Sequence, residues 1–70
     1  MSLRKLRIER GLTLAQLSML SGLHYIKIHY IEVGKIKIEN IRLSTALKLA
    51  RALDCRPEDL LDEARENASL

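Results

Sequence analysis

The sequence predicts an all-α domain of five short helices, on three observations. Gly11, Gly22 and the Thr13/Gln16 pair punctuate the first third of the chain where helices stop and start. Apolar side chains recur at three- and four-residue spacing through residues 43–53. Aromatics supply only 3% of a chain that is 47% hydrophobic, so the core has to be built from Leu, Ile and Ala, a composition that favours helices. At 70 residues there is room for one domain, near the size at which a single core is marginal and a partner often helps.

The segment SLRKLRIER, residues 2–10, places Leu3 and Leu6 three apart among charges and reads as an amphipathic helix stopped by Gly11 in a C-cap position. Thr13 offers an N-cap hydroxyl, and Gln16 three residues on completes a capping box. The next helix turns Leu17 and Leu20 to one face, and Ser21-Gly22 ends it because glycine takes the left-handed conformation at no steric cost.

The stretch HYIKIHYIEVGKIKIEN, residues 24–40, is ambiguous. Ile26, Ile28, Tyr30, Ile36 and Ile38 alternate with polar residues around Val33-Gly34, as in a β-hairpin. The same residues make a helix with Ile28 and Ile31 inward and Tyr25, Ile26, His29 and Tyr30 outward. A lone hairpin is marginal in water. A short helix, a glycine turn and then Leu23, Ile28 and Ile31 have helix-turn-helix spacing, so the helix is favoured. Ile36, Ile38 and Ile41 then form a lid over the core. A fourth helix over residues 43–53 presents Leu43, Ala46, Leu47, Ala50 and Leu53. Asp54 follows in a position that suits left-handed geometry. Pro57 opens a fifth helix, with Glu58 and Asp59 in its first turn and Leu60, Leu61 and Ala64 as its apolar residues. The domain is expected over residues 1–62, with 63–70 a polar tail.

Residues 1–37 carry seven Lys or Arg against Glu9 and Glu32, whereas residues 38–70 carry five basic against seven acidic side chains. The N-terminal half, at +5, is the candidate surface for a polyanion. The single Cys55 excludes an internal disulfide and sits beside no obvious base. His29 and Glu32 have chelating spacing, but no further ligands converge, so neither a metal, a cofactor nor catalysis is expected. No apolar run approaches a membrane span and no signal sequence opens the chain, so a cytoplasmic location is expected.

These blocks together carry a resemblance. RIERGLT (7–13), LSMLSGL (17–23), IHYIEVGK (28–35), ALKLARAL (46–53) and PEDLL (57–61) fall at the spacing of the lambda-repressor and Cro family of helix-turn-helix domains, also called the XRE family. The chain resembles that family from about Leu3 to Leu61. The resemblance implies a five-helix lambda-repressor-like domain, with helices 2 and 3 as the helix-turn-helix, that binds double-stranded DNA as a homodimer and regulates transcription.

Carried over residue by residue, the resemblance implies that residues 24–33 read the major groove, with His24, Tyr25, Ile26, His29 and Tyr30 facing bases. Gln16, Lys27, Gly34, Lys35 and Lys37 would contact phosphates, and Arg7 would pair with Glu32. Two departures stand out. Leu14 occupies a position where many relatives have Gln, and the third helix has no Arg, Asn or Gln to make bidentate base contacts. Modest specificity with a large electrostatic share is therefore expected, tightening in acid if either histidine gains charge against DNA. The rival use of Tyr25, Ile26 and Tyr30 is a protein-binding face, as in an interaction module or an antitoxin. Leu60 and Leu61 either form a dimer interface or complete the monomer core.

Overall fold

The computed structural model describes residues 2–61, with side chains to residue 60. Among them are four α-helices, α1 (Leu3–Glu9), α2 (Leu14–Ser21), α3 (Tyr25–Glu32) and α4 (Leu43–Ala52), two 3-10 helices at Ile38–Asn40 and Pro57–Leu61, and no strand. The ambiguous stretch therefore resolves as a helix followed by an irregular connection. Where a fifth helix is expected to open at Pro57, the described residues form a 3-10 helix, Pro57–Leu61; Ala64 and the tail at 63–70 lie outside the described residues.

Local chemistry sets the boundaries. Ser2 caps α1 by accepting from the Lys5 amide at 3.2 Å. Arg10 is the closing cap, and Gly11, at φ +68°, takes the left-handed position just beyond it. At α2 both halves of the capping box are made. Gln16 N donates to Thr13 Oγ1 at 3.1 Å, and Thr13 N donates to Gln16 Oε1 at 2.9 Å. Gly22, φ +75°, closes that helix in the left-handed region. Leu53 ends α4, its amide donating to Leu49 O at 3.0 Å, and Asp54 beyond it is left-handed at φ +52°.

One aliphatic cluster holds these elements together: Leu3, Leu6, Leu17, Leu23, Ile28, Ile31, Leu49, Ala50, Leu53 and Leu60. Leu17, Ile28, Leu49, Leu53 and Leu60 are fully enclosed, and each such side chain contributes about 1.5–3 kcal/mol by leaving water. Ile36, Ile38 and Ile41 pack against the cluster, half-buried, as the expected lid.

Two core expectations need correction. Leu20, expected beside Leu17, is 61% exposed, and Ser21 is buried instead. Where α2 meets the following turn, a small hydroxyl fits and also bonds: Ser21 Oγ accepts from the Leu23 amide at 3.2 Å. Leu43 is 71% exposed, and Thr45 and Leu49 turn inward in α4. At 100° per residue this rotates the buried stripe by roughly 70° from the one expected. Of the two uses left open for Leu60, the structure shows the monomer core, where it is 2% exposed.

Candidate nucleic-acid interface

Helix α3 is built to be held by one side only. Ile28 and Ile31 enter the core, while His24, Tyr25, Ile26, His29 and Tyr30 are exposed, the division that an amphipathic helix makes between core and surroundings. The turn leading into α3 is tied at several points. Gly22 N donates to Ser18 O at 2.9 Å, and Ser18 Oγ donates across the turn to Leu23 O. His24 caps α3 with its own side chain: Ile26 N donates to His24 Nδ1 at 3.1 Å. The His24 ring stacks on Tyr25, with centroids 4.9 Å apart.

The far end of α3 is anchored by charge. Arg7 Nε donates to Glu32 Oε2 at 2.7 Å and Nη2 to Oε1 at 3.1 Å, so the contact is bidentate. Its Nη1 donates to Leu12 O at 2.8 Å, which joins α1, the α1–α2 connection and α3 through one guanidinium. The hydrogen bond to Glu32 raises the Arg7 pKa; burial opposes this, and the Coulomb attraction of Glu32 adds to it. A carboxylate at a helix C-terminus is disfavoured by the dipole, and Arg7 offsets that.

This pair has an electrostatic consequence for the outward face. Glu32 is the sole carboxylate of α3, and it is 4% exposed and neutralised. What remains around the exposed aromatics is cationic. Lys35 Nζ lies 4.9 Å from the centroid of the Tyr30 ring, a cation–π contact. The Lys35 segment is itself fixed to α3 by the Ile36 amide, which donates to Tyr30 O at 3.1 Å. Lys37 is exposed and Lys27 half-buried.

Gln16 is exposed; its Oε1 accepts from Thr13 N in the capping box, and its amide nitrogen is the group that can donate to a phosphate. Gly34, φ +86°, allows the chain to reverse after α3, but its N–H already donates to Ile31 O at 3.3 Å. Leu14 is half-buried against the core, so its departure from the family pattern is filled by a packing residue.

Glu32 is engaged by Arg7, which removes it from the His29/Glu32 spacing, and no group of three or more potential metal ligands occurs among the described residues. Desolvation pushes the Cys55 thiol up, Asp59 and Asp54 add to the rise, and Arg10 partly opposes them. The thiol is thus a poor nucleophile. Among the described residues no helix is long and apolar enough to cross a membrane.

An exposed helix, held from behind, free of unpaired anions and flanked by lysines, defines a small helical DNA-binding domain. The Cro/C1-type HTH DNA-binding domain model matches residues 2–63, and the chain belongs to that family. It is similar to the restriction-modification controller protein C.AhdI from Aeromonas hydrophila, whose crystal structure aligns with a TM-score of 0.75 at 41% identity over 83% of each chain. No curated protein sequence matches the chain. The protein is a DNA-binding transcriptional regulator.

Proposed function

We propose that α2 and α3 act as the helix-turn-helix of a five-helix domain, with Pro57–Leu61 as the start of the fifth, and that a homodimer places α3 of each copy in the major groove. The observation that carries this is the α3 surface, where exposed His24, Tyr25, Ile26, His29 and Tyr30 lie beside Lys35 while Glu32 is withdrawn into an ion pair. Ile26 touches a thymine methyl, the histidines and tyrosines hydrogen-bond to base edges, and Lys27, Lys35, Lys37 and Gln16 meet phosphates. The Lys35 amide joins them, since the Gly34 N–H already donates to Ile31 O.

With three lysines per copy, a dimer neutralises about six phosphates, which gives a log–log salt slope of about −5. Specificity is modest because no Arg, Asn or Gln reads a base pair bidentately. Exposed Leu43, beside Ile38, Ile41 and Pro57 on an open apolar groove, supports self-association on the side carrying the start of α4. The likeness to C.AhdI extends the reading to control of restriction–modification genes.

Selection of binding sites from a random duplex library at moderate salt tests this. The expected product is a two-fold motif with half-sites about one helical turn apart. Retention without enrichment would reduce the protein to a non-specific electrostatic binder. No retention would shift the Tyr25–Ile26–Tyr30 face to a protein partner.

A further inference from the structure

His24 does two things at once, and the first constrains the second. Its Nδ1 accepts from the Ile26 amide at 3.1 Å. A backbone N–H is a donor only, so Nδ1 holds its lone pair and the ring proton of the neutral imidazole resides on Nε2. The ring is also held in plane by Tyr25, stacked on it with centroids 4.9 Å apart and an interplanar angle of 23°. The residue is exposed, at the leading end of the helix. Cap and stack therefore leave Nε2–H as the one uncommitted polar group of a ring held in place on an exposed residue.

We propose that His24 is a specificity-determining residue that reads DNA solely as a donor, through Nε2–H, to an acceptor on a base edge: guanine O6 or N7, thymine O4, or adenine N7. This rests on the reading of α3 as the groove-entering helix and sharpens it. A histidine free to change tautomer offers either a donor or an acceptor and so tolerates any base edge. One whose Nδ1 is committed to the backbone rejects the amino edge of cytosine, which presents a donor. Specificity thus arises from the same hydrogen bond that starts the helix, in a reading surface otherwise lacking bidentate side chains.

Two measurements test the proposal. The nitrogen-15 spectrum of the imidazole in the free protein at neutral pH is expected to show Nε2 as the protonated nitrogen and Nδ1 as the bare one. The reverse assignment would overturn it. Library selection is then run with wild type and with His24→Ser, His24→Ala as a control for cap loss. Serine is a good cap but too short to reach a base. His24→Ser is expected to melt close to wild type and to lose about three- to tenfold preference at one base pair in each half-site, the value of one hydrogen bond. His24→Ala loses the same preference and also melts lower. If wild type enriches a motif and His24→Ser enriches the identical motif, the donor role is refuted while the DNA reading stands. If wild type enriches nothing, the reading of base edges by α3 fails and takes this proposal with it.

Discussion

Removing Arg7 should be the most damaging single charge substitution in the described part of the protein. Its side chain is 12% exposed and that of Glu32 4%, so truncation to alanine strands a carboxylate that water barely reaches. Breaking a buried pair from one side costs about 3–5 kcal/mol, and the residual access of Arg7 to solvent argues for the lower end, about 3 kcal/mol. Removing the hydrogen bond to the Leu12 carbonyl acts in the same direction. A 70-residue chain has a total stability of about 3.5–10 kcal/mol. A deficit of about 3 kcal/mol lowers the melting temperature by about 12–24 °C in a domain this small.

Exposed Arg4, one turn earlier on α1, supplies the control. Arg4→Ala should cost less than about 0.5 kcal/mol. Far-UV circular dichroism melts of the two variants make the comparison. The double variant Arg7→Met with Glu32→Leu removes both charges at similar volume and is expected to regain most of the stability, because no buried charge is left without a partner. Equal melting temperatures for Arg7→Ala and Arg4→Ala, or a double variant no more stable than Arg7→Ala, would refute the reasoning.

Thr13→Ala removes the Oγ1 that accepts from the Gln16 amide, leaving the Thr13 N–H bond to Gln16 Oε1 in place, and should destabilise by about 1 kcal/mol, seen in a urea titration. Gly22→Ala meets no neighbour within 4 Å, so its cost is the left-handed backbone alone, about 1–2 kcal/mol, and Gly22→Asn should cost less; ordering these two the other way would count against a conformational origin. Because its pKa is raised, Cys55 should react with iodoacetamide at mildly alkaline pH more slowly than the same thiol in the urea-unfolded chain. Below the unfolded thiol's pKa both states keep the proton; as pH rises through it toward the folded value the unfolded chain ionises first, so stability falls. Lys35→Ala should weaken binding to all duplexes alike and reduce the salt slope by about 1 for each phosphate no longer neutralised, read by fluorescence anisotropy across a salt series.

The helix boundaries are legible in the sequence because single residues signal them: Thr13 with Gln16, Gly22, Asp54 and Pro57 each have a local reason to stand where they do. The inward face of α3 is legible as well, since Ile28 and Ile31 are its apolar residues on the side opposite the tyrosines. Periodicity fails in α4, where Leu43, Leu47 and Leu49 lie around much of the circumference and several stripes are equally apolar. Burial of Thr45 and Leu49 depends on where α2 and the Pro57–Leu61 turn approach, which is tertiary information. Ser21 escapes notice for a related reason, since a hydroxyl counts as polar until its bond to Leu23 N is seen. His24 as a cap is equally hidden, because histidine is not among the preferred N-cap residues.

The aliphatic core and the exposed tyrosines also separate two optical signals. The chain has no Trp and no Phe, and Tyr25 and Tyr30, at 52% and 38% exposure, both stand on the outer side of α3. Ultraviolet emission therefore comes from the outer side of α3, the surface proposed to meet DNA, while the packed interior is silent. Quenching or polarisation of tyrosine follows occupancy of that helix without any attached dye, and backbone dichroism follows unfolding. Docking and stability can be titrated side by side in one sample, each with its own chromophore.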